Sequence, residues 1–315
     1  MPVVTTRVAA IDLGTNTVRL LVADIASRAA GWRTVIVEQR VTRLGEGFRR
    51  TGILSDAAAA RTAATVAEYV TRARGAGAAR VGIVATSAVR DAANGDAFVR
   101  DLERTTGVRV RVISGEEEAR LTLAGILAGL GALPGAAVAF DIGGGSTEYI
   151  LAHDGRLVAA ASLQLGVVPL AERFPFPGPV DPDRYRALRA EVDAQLAREL
   201  PPAIATARID TLVGTAGTVT TLAALDLGLR DYDAARVQGH ALSRAAVRLQ
   251  RRRLAALDLA GRVALPCLEP GRADLIVAGV AIVEATLDRW GSEQVIVSDW
   301  SLREGLLEDL AAGEV

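Results

Sequence analysis

The strongest constraint on the fold is a pair of internal sequence similarities that recur at one spacing. The segment AAIDLGTNTVRLLVA resembles VAFDIGGGSTEYILA, so that Asp12 matches Asp141 at a spacing of 129 residues. The segments VATSAV and VGTAGT match at the same spacing, which pairs Thr86 with Thr215. Self-similarity at a fixed spacing is the signature of a repeated structural unit. We therefore expect a duplicated domain, each copy with an acidic, glycine-containing loop between two strands.

Strand-like apolar runs alternate with Ala-, Leu- and Arg-rich runs typical of helices, which indicates an α/β fold with mixed sheets. The strands predicted in the first half are Val8–Leu13, Val18–Ile25, Val35–Leu44, Val81–Thr86 and Val108–Ser114. The predicted helices there are Asp56–Gly75 with Ser55 as its N-cap, Asp96–Gly107 and Glu116–Leu130.

The boundary between the copies is predicted near Leu133–Gly135, where a Pro-Gly turn follows a helix. This gives domains of residues 1–132 and 133–315, with a last helix at about 301–311 that is expected to pack on the first domain. The proline-rich segment FPFPGPVDP at 174–182 is predicted to end one helix at Phe174 and to precede another near Asp183.

One uncharged stretch, Leu121–Phe140, is long enough to cross a membrane and contains two GxxxG spacings, Gly125/Gly129 and Gly131/Gly135. Its four glycines, its proline and its alanine content favour a helix, a turn and a buried strand at Ala136–Ile142 instead. We therefore expect a soluble cytoplasmic protein.

All 36 basic residues are arginine, because the sequence contains no lysine. This excludes P-loop NTPases and Schiff-base enzymes, since both need a lysine side chain. The single cysteine excludes an internal disulfide, and two distant histidines argue against a His-rich metal centre, so a metal should have oxygen ligands. The net charge of −1 gives no overall attraction for nucleic acid or an anionic membrane, and neither is expected as a partner.

The two matched loops, DLGTNT and DIGGGST, have the composition of phosphate-binding turns. Each follows an apolar strand that ends in aspartate and then has residues at which the backbone turns tightly. Consecutive N–H groups in such a turn bind anions, and the aspartate suits a hard divalent cation that bridges to a phosphate. One such loop alone would be explained as a β-hairpin turn, but two copies in a repeat favour phosphate binding.

Motifs along nearly the whole chain resemble, in order, those of the Ppx/GppA phosphatase family within the actin/hexokinase/Hsp70 superfamily. They are AAIDLGTNTVRLLVAD, LGEGF, VATSAVRDAANGDAF, VISGEEEARL, FDIGGGSTEYI, LQLGVV, LVGTAGTVTTLAAL, VQGHALS, GRADLIVAGVAIVEATL and VSDWSLREGLL. The resemblance implies two duplicated ribonuclease H-like domains of the actin-like ATPase type, with mixed sheets around a central cleft. It also implies removal of a terminal phosphate from a phosphoanhydride chain, with Mg²⁺ or another divalent cation such as Mn²⁺ as cofactor, and a homodimer.

The resemblance assigns the general base to the last glutamate of the family's EEAR motif, here Glu118. The residues alone do not distinguish Glu117 from Glu118, and an acidic run at a helix start is also explained by the helix dipole. A base in a cleft beside other carboxylates should have a raised pKa.

Asp12, Asp141 and Glu148 are the candidate metal-binding and water-positioning carboxylates, and with Glu118 they form the expected catalytic set. Arg90 matches the arginine of the family's ATSAxR motif, which lies along the phosphate chain; a salt bridge to Asp91 or Asp96 is the alternative. The other expected substrate-binding residues are Gly14, Thr15, Asn16, Thr17, Gly143, Gly144, Gly145, Ser146, Thr147, Gly214 and Thr215.

These observations predict an exopolyphosphatase acting on inorganic polyphosphate. The alternative in the same family is a guanosine pentaphosphate (pppGpp) 5′-phosphohydrolase, whose chemistry the motifs do not separate. An ATP-dependent kinase and a non-catalytic nucleotide or polyphosphate sensor are further alternatives. Two arginine features stay open: Arg19 could reach the cleft or solvent, and Arg248–Arg253 is either a solvated helix face or a track for the polyphosphate tail.

Overall fold

The structure is a computed structural model that describes residues 5–27 and 31–313. Its strands are β1 (Thr6–Leu13), β2 (Thr17–Ser27), β3 (Gly31–Val41), β4 (Arg80–Ala85), β5 (Val110–Val112), β6 (Ala136–Ile142), β7 (Thr147–His153), β8 (Arg156–Leu163), β9 (Thr211–Thr215), β10 (Ala241–Ser243) and β11 (Gln294–Ser298).

Helices connect and cover these strands. They are α1 (Phe48–Thr51), α2 (Asp56–Gly75), α3 (Ser87–Asp91), α4 (Gly95–Thr106), α5 (Gly115–Leu130), α6 (Val167–Arg173), α7 (Pro182–Glu199), α8 (Pro202–Ala205), α9 (Ala216–Asp226), α10 (Ala234–Val237), α11 (Arg244–Ala255), α12 (Leu259–Val263), α13 (Ile276–Trp290) and α14 (Leu302–Ala312), with a short 3₁₀ turn at Pro270–Arg272.

The chain divides into two units, each built on one mixed sheet. The first unit contains the described residues through Ala128 and those from Ser301 onward, and the second is Gly129–Trp300. The first sheet has the strand order β3-β2-β1-β4-β5, and the second has β8-β7-β6-β9-β11-β10. In both, two antiparallel pairings on one side of the central strand are followed by two parallel pairings on the other. This repeated order confirms the predicted fold class of two duplicated ribonuclease H-like domains.

Most predicted elements are confirmed to within two residues at each end, and Asp56–Gly75 and Ala136–Ile142 match in full. The Ser55 hydroxyl caps α2 by accepting a hydrogen bond from the Ala58 backbone. The strand predicted at Val35–Leu44 was wrong at both ends, since β3 starts at Gly31 and stops at Val41. Arg43 has a left-handed backbone, with φ of 51°, and its N–H donates to the Asn16 carbonyl. The chain therefore leaves the sheet before Leu44.

The strand predicted at Val108–Ser114 was also too long, because only Val110–Val112 pairs with β4. The segment 174–182 breaks the helices as predicted: α6 ends at Arg173, and α7 begins at Pro182 with the Asp181 side chain as its N-cap.

Helices cover both faces of the first sheet. Alternate β1 residues, including Ile11 and Leu13, pack with α2 and α4 on one face, whereas Val8 and Ala10 pack with α5 and α14 on the other. Because side chains alternate along a strand, Asp12 lies on the same face as Val8 and Ala10. The fold therefore turns Asp12 toward the side of the sheet that carries α5 and α14.

Two glycines allow α5 and α14 to cross with their backbones in contact. A Cβ added at Gly125 would lie 1.8 Å from the Ser301 carbonyl oxygen, and one at Gly305 would lie 2.0 Å from that of Leu121. The small residues at Leu121–Phe140 thus serve helix packing. No helix in the described part of the chain is long and apolar enough to cross a membrane.

The loop between α6 and α7 is held by a buried arginine. Arg262 is fully buried, and its guanidinium donates to the carbonyls of Phe176, Gly178, Leu254 and Leu257 at 2.7–3.0 Å. This side chain replaces the regular hydrogen bonds that the proline-rich segment lacks.

Gly125→Ala is expected to lower the free energy of unfolding by about 3 kcal/mol, because the new methyl group collides with backbone that has no rotamer to change. The matched control is Gly75→Ala at the end of α2, where an added Cβ meets nothing within 4 Å. There we expect no loss of stability, since alanine favours the helix. Urea unfolding of both variants tests this, and equal losses would contradict the helix-crossing role of Gly125.

Candidate active site

The first matched loop is the turn between β1 and β2. The Gly14 N–H donates to the Thr17 carbonyl at 3.1 Å and closes the turn. The Thr15 carbonyl accepts from Gly45 N–H at 2.8 Å, and the Asn16 carbonyl accepts from the N–H groups of the two residues after β3 at 2.9 and 3.0 Å. The loop carbonyls are therefore directed into the first unit.

The second loop, between β6 and β7, is built in the same way from different residues. The Gly143 N–H donates to the Ser146 carbonyl at 2.9 Å, which is the equivalent bond in the repeat. The Gly143 and Gly144 carbonyls accept from Val167 and Val168 in the first turn of α6 at 3.2 and 2.9 Å. Because C=O and N–H of a trans peptide point in opposite directions, the N–H groups of Gly144 and Gly145 point away from α6. This leaves them available to an anion.

Close approach favours glycine in these turns. A Cβ at Gly14 or Gly143 would lie 3.1 or 2.9 Å from the carbonyl oxygen that the same residue's N–H contacts. Gly166, in the LQLGVV motif, packs on the second loop, and its Cβ would lie 2.3 Å from the Gly144 oxygen. Gly45, in LGEGF, packs on Thr15 in the first loop. The LQLGVV motif therefore packs on the second loop, and the LGEGF motif packs on the first.

The carboxylates at the strand ends have different partners in the two units. In the first, Asp12 is opposite Arg19 across the β1–β2 ladder, and Arg19 Nη1 lies 3.7 Å from Asp12 Oδ2. In the second, Asp141 is opposite Glu148 across β6–β7. Arg19 and Glu148 occupy equivalent positions of the repeat, so one unit has an ion pair where the other has two acids. Arg19 therefore faces the site side of the sheet and not bulk solvent.

Asp12 is nearly buried, with 7% of its surface exposed, and burial raises its pKa. The charges of Arg19 and Arg303 oppose this rise, while Glu304 adds to it. Arg303 and Glu304 lie in the first turn of α14 and pair with each other at 2.5 Å, and Glu304 also caps that helix through Ser301 N–H. The sequence pattern did not single out these two residues, because no local signal links them to a loop near residue 12.

Asp141 is partly buried and Glu148 has 1% of its surface exposed; Ser162 Oγ donates to Glu148 Oε1 at 2.7 Å. No group of three or more His, Cys, Asp or Glu residues in the described ranges forms a metal site. Two acids opposite each other on a hairpin nevertheless fit Mg²⁺, which commonly takes one or two carboxylates and completes its octahedron with phosphate and water. Like charges directly opposite also destabilise a strand pair unless a cation compensates them.

The three acidic residues at the start of α5 have different surroundings. Glu116 is exposed, Glu117 is half-buried and pairs with Arg111, and Glu118 is buried with 8% exposed. Arg90 Nη1 lies 3.3 Å from Glu118 Oε2 and donates to the Ile113 carbonyl at 2.9 Å. Glu118 is thus the acid of this run that is enclosed and oriented.

Arg90 itself bridges two carboxylates, since its Nε also lies 3.4 Å from Asp91. It is held in α3, and Ser87 of the same helix shares a 2.9 Å hydrogen bond with Thr15 of the first loop. One short helix therefore links the first loop to Glu118. Asn16 Oδ1, in that loop, is buried and has no hydrogen-bond partner among the described residues.

The remaining residues predicted to bind substrate differ in the contacts that they already make within the protein. Thr147 is fully buried, and its hydroxyl donates to the Leu165 carbonyl. Gly214 packs on Phe140, with 2.8 Å from its notional Cβ to the ring. Thr215 pairs with Asp141 across the β6–β9 ladder and is the N-cap residue of α9. Thr17 and Ser146 are the residues that close the two turns.

The turn that starts α9 has two features that the sequence did not predict. Ala216 has a left-handed backbone, with φ of 67°, which is strained for a residue with a Cβ and is typical of functional turns. The next residue, Gly217, leaves room for Arg272, whose Nη1 would be 2.1 Å from a Cβ there. A guanidinium therefore lies against the first turn of α9.

The chain is similar to known proteins over nearly its whole length. The model of the Ppx/GppA phosphatase family matches residues 21–314. Exopolyphosphatase 2 of Mycobacterium tuberculosis is 37% identical over 321 aligned residues, which cover 97% of this chain and 99% of that protein. Exopolyphosphatase 1 of Mycobacterium leprae is 31% identical, with 96% and 88% covered.

Among solved structures, an exopolyphosphatase from Cytophaga hutchinsonii matches with a TM-score of 0.90 at 27% identity over 98% of each chain. The Ppx/GppA family member of Aquifex aeolicus matches with a TM-score of 0.83 at 31% identity over 99% of each chain.

Asp12→Asn is expected to stabilise the free protein at neutral pH. Because burial raises its pKa, the neutral form of Asp12 is favoured by folding at low pH, and this advantage is lost as pH rises through the raised pKa. The amide stays neutral, so its melting temperature should exceed that of the parent protein at pH 7, with a smaller difference in acid.

The matched control is Asp24→Asn, where the sign is reversed. Hydrogen bonds from Arg7 and Arg33 lower the pKa of Asp24 to about 2, so its stabilising contribution is present at pH 7 and lost as pH falls below about 4. This variant should melt below the parent protein at pH 7. Thermal melts across pH test both, and the same direction of change in the two variants would refute the burial argument.

Proposed function

Because the chain belongs to the Ppx/GppA phosphatase family, we propose that it is an exopolyphosphatase, a phosphoanhydride hydrolase that releases the terminal phosphate of inorganic polyphosphate. The observation that carries this conclusion is the 37% identity to a mycobacterial exopolyphosphatase over 97% of the chain. The doubled glycine loop, with its outward N–H groups, supplies the kind of anion site that the reaction needs.

Glu118 acts as the general base in this proposal. It is buried, it lies in the first turn of a helix, and Arg90 fixes one of its oxygens. The Arg90 guanidinium, 3.3 Å away, orients a carboxylate that would accept a proton from the attacking water. The raised pKa that the acidic surroundings predict stays a prediction.

The loop residues hold the phosphate. In the second unit, the N–H groups of Gly144 and Gly145 would contact phosphate oxygens. In the first unit, Arg90 would contact phosphate while it keeps its contact with Glu118. Arginine suits this role because its fork of donors matches phosphate oxygens. The unsatisfied Asn16 Oδ1 is an acceptor for the attacking water.

Asp141 and Glu148 are the residues we propose to hold Mg²⁺, or a similar divalent cation such as Mn²⁺, together with Asp12 as predicted from the sequence. When bound, the cation would neutralise charge that develops on the phosphate oxygens. Ser162 orients Glu148 for this role through its 2.7 Å hydrogen bond.

The pppGpp phosphohydrolase alternative uses the same residues and stays a prediction, as do the homodimer and the cytoplasmic location. The kinase and sensor alternatives also make testable claims, because a kinase requires ATP and a sensor shows no turnover.

Glu118→Gln is expected to reduce the turnover of polyphosphate by about 10²- to 10⁴-fold, with a smaller change in KM, because a general base contributes this much to proton transfer. The matched control is Glu117→Gln, one residue away and paired with Arg111. It should retain near-parental turnover in a magnesium-dependent phosphate-release assay. Undiminished turnover in Glu118→Gln, or an equal loss in the control, would refute Glu118 as the base.

Polyphosphate is expected to be hydrolysed with a higher kcat/KM than pppGpp when both are supplied to the purified protein. The measurement is phosphate release from each substrate alone and in competition, with ATP as a third substrate. A preference for pppGpp would select the alternative function, and phosphoryl transfer from ATP to an acceptor would select the kinase.

A further inference from the structure

A cavity of about 260 Å³ opens between α7, α11 and α13 in the second unit. Its walls are mainly apolar and include Val180, Leu254, Val277 and Val280. None of its lining residues belongs to the candidate active site. An apolar cavity with a few fixed polar groups is the usual form of a small-molecule site.

Its polar end is an oriented guanidinium. Arg251 Nε donates to Glu284 Oε1 at 3.0 Å, and the group lies 5.5 Å from the centre of the Tyr185 ring. Its two terminal nitrogens donate to no acceptor among the described residues. Tyr185 OH donates to the other Glu284 oxygen at 2.7 Å, and burial together with Glu284 raises the pKa of Tyr185, which keeps it a donor. Arg251 therefore has a fixed Nε and two terminal nitrogens that still have N–H groups to donate at the cavity.

The lining of the cavity contains two arginines and no acidic residue that would repel an anion. Arg186 pairs with Asp183 at the surface, and Arg251 pairs with Glu284 through Nε only. In the arginine run of α11, Arg248, Arg252 and Arg253 are exposed, and only Arg251 lines the cavity. The cavity thus has one anion-binding group from α11 beside apolar walls. A continuous polyphosphate track would instead need several aligned arginines.

The cavity wall is held in place by hydrogen bonds. Val180 N–H donates to the Ala255 carbonyl at 2.8 Å, and Arg262 binds the preceding loop carbonyls of Phe176 and Gly178. Because this wall is already ordered, binding of a ligand costs less conformational entropy in the protein.

We propose that this cavity binds a small apolar carboxylate, with its hydrocarbon body between α7 and α13 and its carboxylate on the terminal nitrogens of Arg251. The planar fork of one arginine matches the two oxygens of a carboxylate. A cavity of about 150 Å³ holds benzene, so on the same scale this one takes a ligand of about ten non-hydrogen atoms. Octanoate has this size and chemistry.

Calorimetric titration of the full-length protein with octanoate and with octanamide, its neutral isostere, tests the proposal without reference to turnover. We expect saturable octanoate binding and about tenfold weaker octanamide binding, since a charge-assisted pair is lost. Arg251→Gln should weaken octanoate binding by about tenfold and leave octanamide binding unchanged. The matched control, Arg252→Gln, changes an exposed arginine of the same helix and should bind octanoate like the parent protein.

A second variant, Ala255→Phe, fills the cavity from its half-buried edge and should abolish binding of both compounds while the protein keeps its circular dichroism spectrum. Equal affinity for octanoate and octanamide, full binding by Ala255→Phe, or no saturable binding by the parent protein would overturn the proposal. Displacement of octanoate by tripolyphosphate would also overturn it and would assign the cavity to the polyphosphate path.

Discussion

In each unit, two backbone carbonyls of the hairpin loop accept hydrogen bonds from a neighbouring segment, and the orientation of that loop's N–H groups depends on these bonds. In the first unit the donors come from the segment after β3, and in the second they come from the first turn of α6. The planar peptide converts a fixed carbonyl into a fixed N–H on the opposite side. Glycine suits both turns, because a Cβ would lie 3.1 Å from the Thr17 oxygen at Gly14 and 2.9 Å from the Ser146 oxygen at Gly143. Two unrelated supports thus hold two loops that share the same closing hydrogen bond.

The two copies of the repeat have the same hairpin pairing but different charges opposite the strand-end aspartate. Asp12 and Asp141 occupy equivalent strand ends, but the residue opposite them is Arg19 in one unit and Glu148 in the other. The first carboxylate is therefore partly neutralised by its own hairpin, whereas the second pair concentrates negative charge. The second arrangement therefore gains more from a bound cation than the first. A duplicated hairpin can thus acquire two different electrostatic roles through one change of residue.

The sequence predicted the features that depend on local pattern. The 129-residue spacing predicted the doubled loop, and apolar periodicity predicted most strands and helices, including the ends of α2. Other features depend on contacts distant in sequence, such as the approach of Arg303 to Asp12 and the support of Gly144 by α6. The acidic run at 116–118 could not be resolved by pattern, because only the packing of α5 makes Glu118 the buried member. The roles of these residues in catalysis and metal binding stay predictions.

The parallel register of the two sheets also lay beyond sequence pattern. Asp12 pairs with Val84, whereas Asp141 pairs with Thr215, which is equivalent to Thr86. The two-residue difference leaves the side-chain faces unchanged, because side chains alternate with a period of two. Pattern alone therefore gives the same prediction for both registers, and only the structure distinguishes them.

The packing of α14 on the first sheet has a consequence for synthesis. Leu306, Leu307 and Leu310 complete the face of the sheet that also carries Val8 and Ala10, yet they are about 300 residues away in the sequence. Domains generally fold as units while the ribosome adds residues from the N-terminus. The first unit is therefore the first to be synthesised and the last to be completed, because its apolar face waits for the final helix. The second unit has all of its residues before that helix emerges, so its core can be completed before that of the first unit.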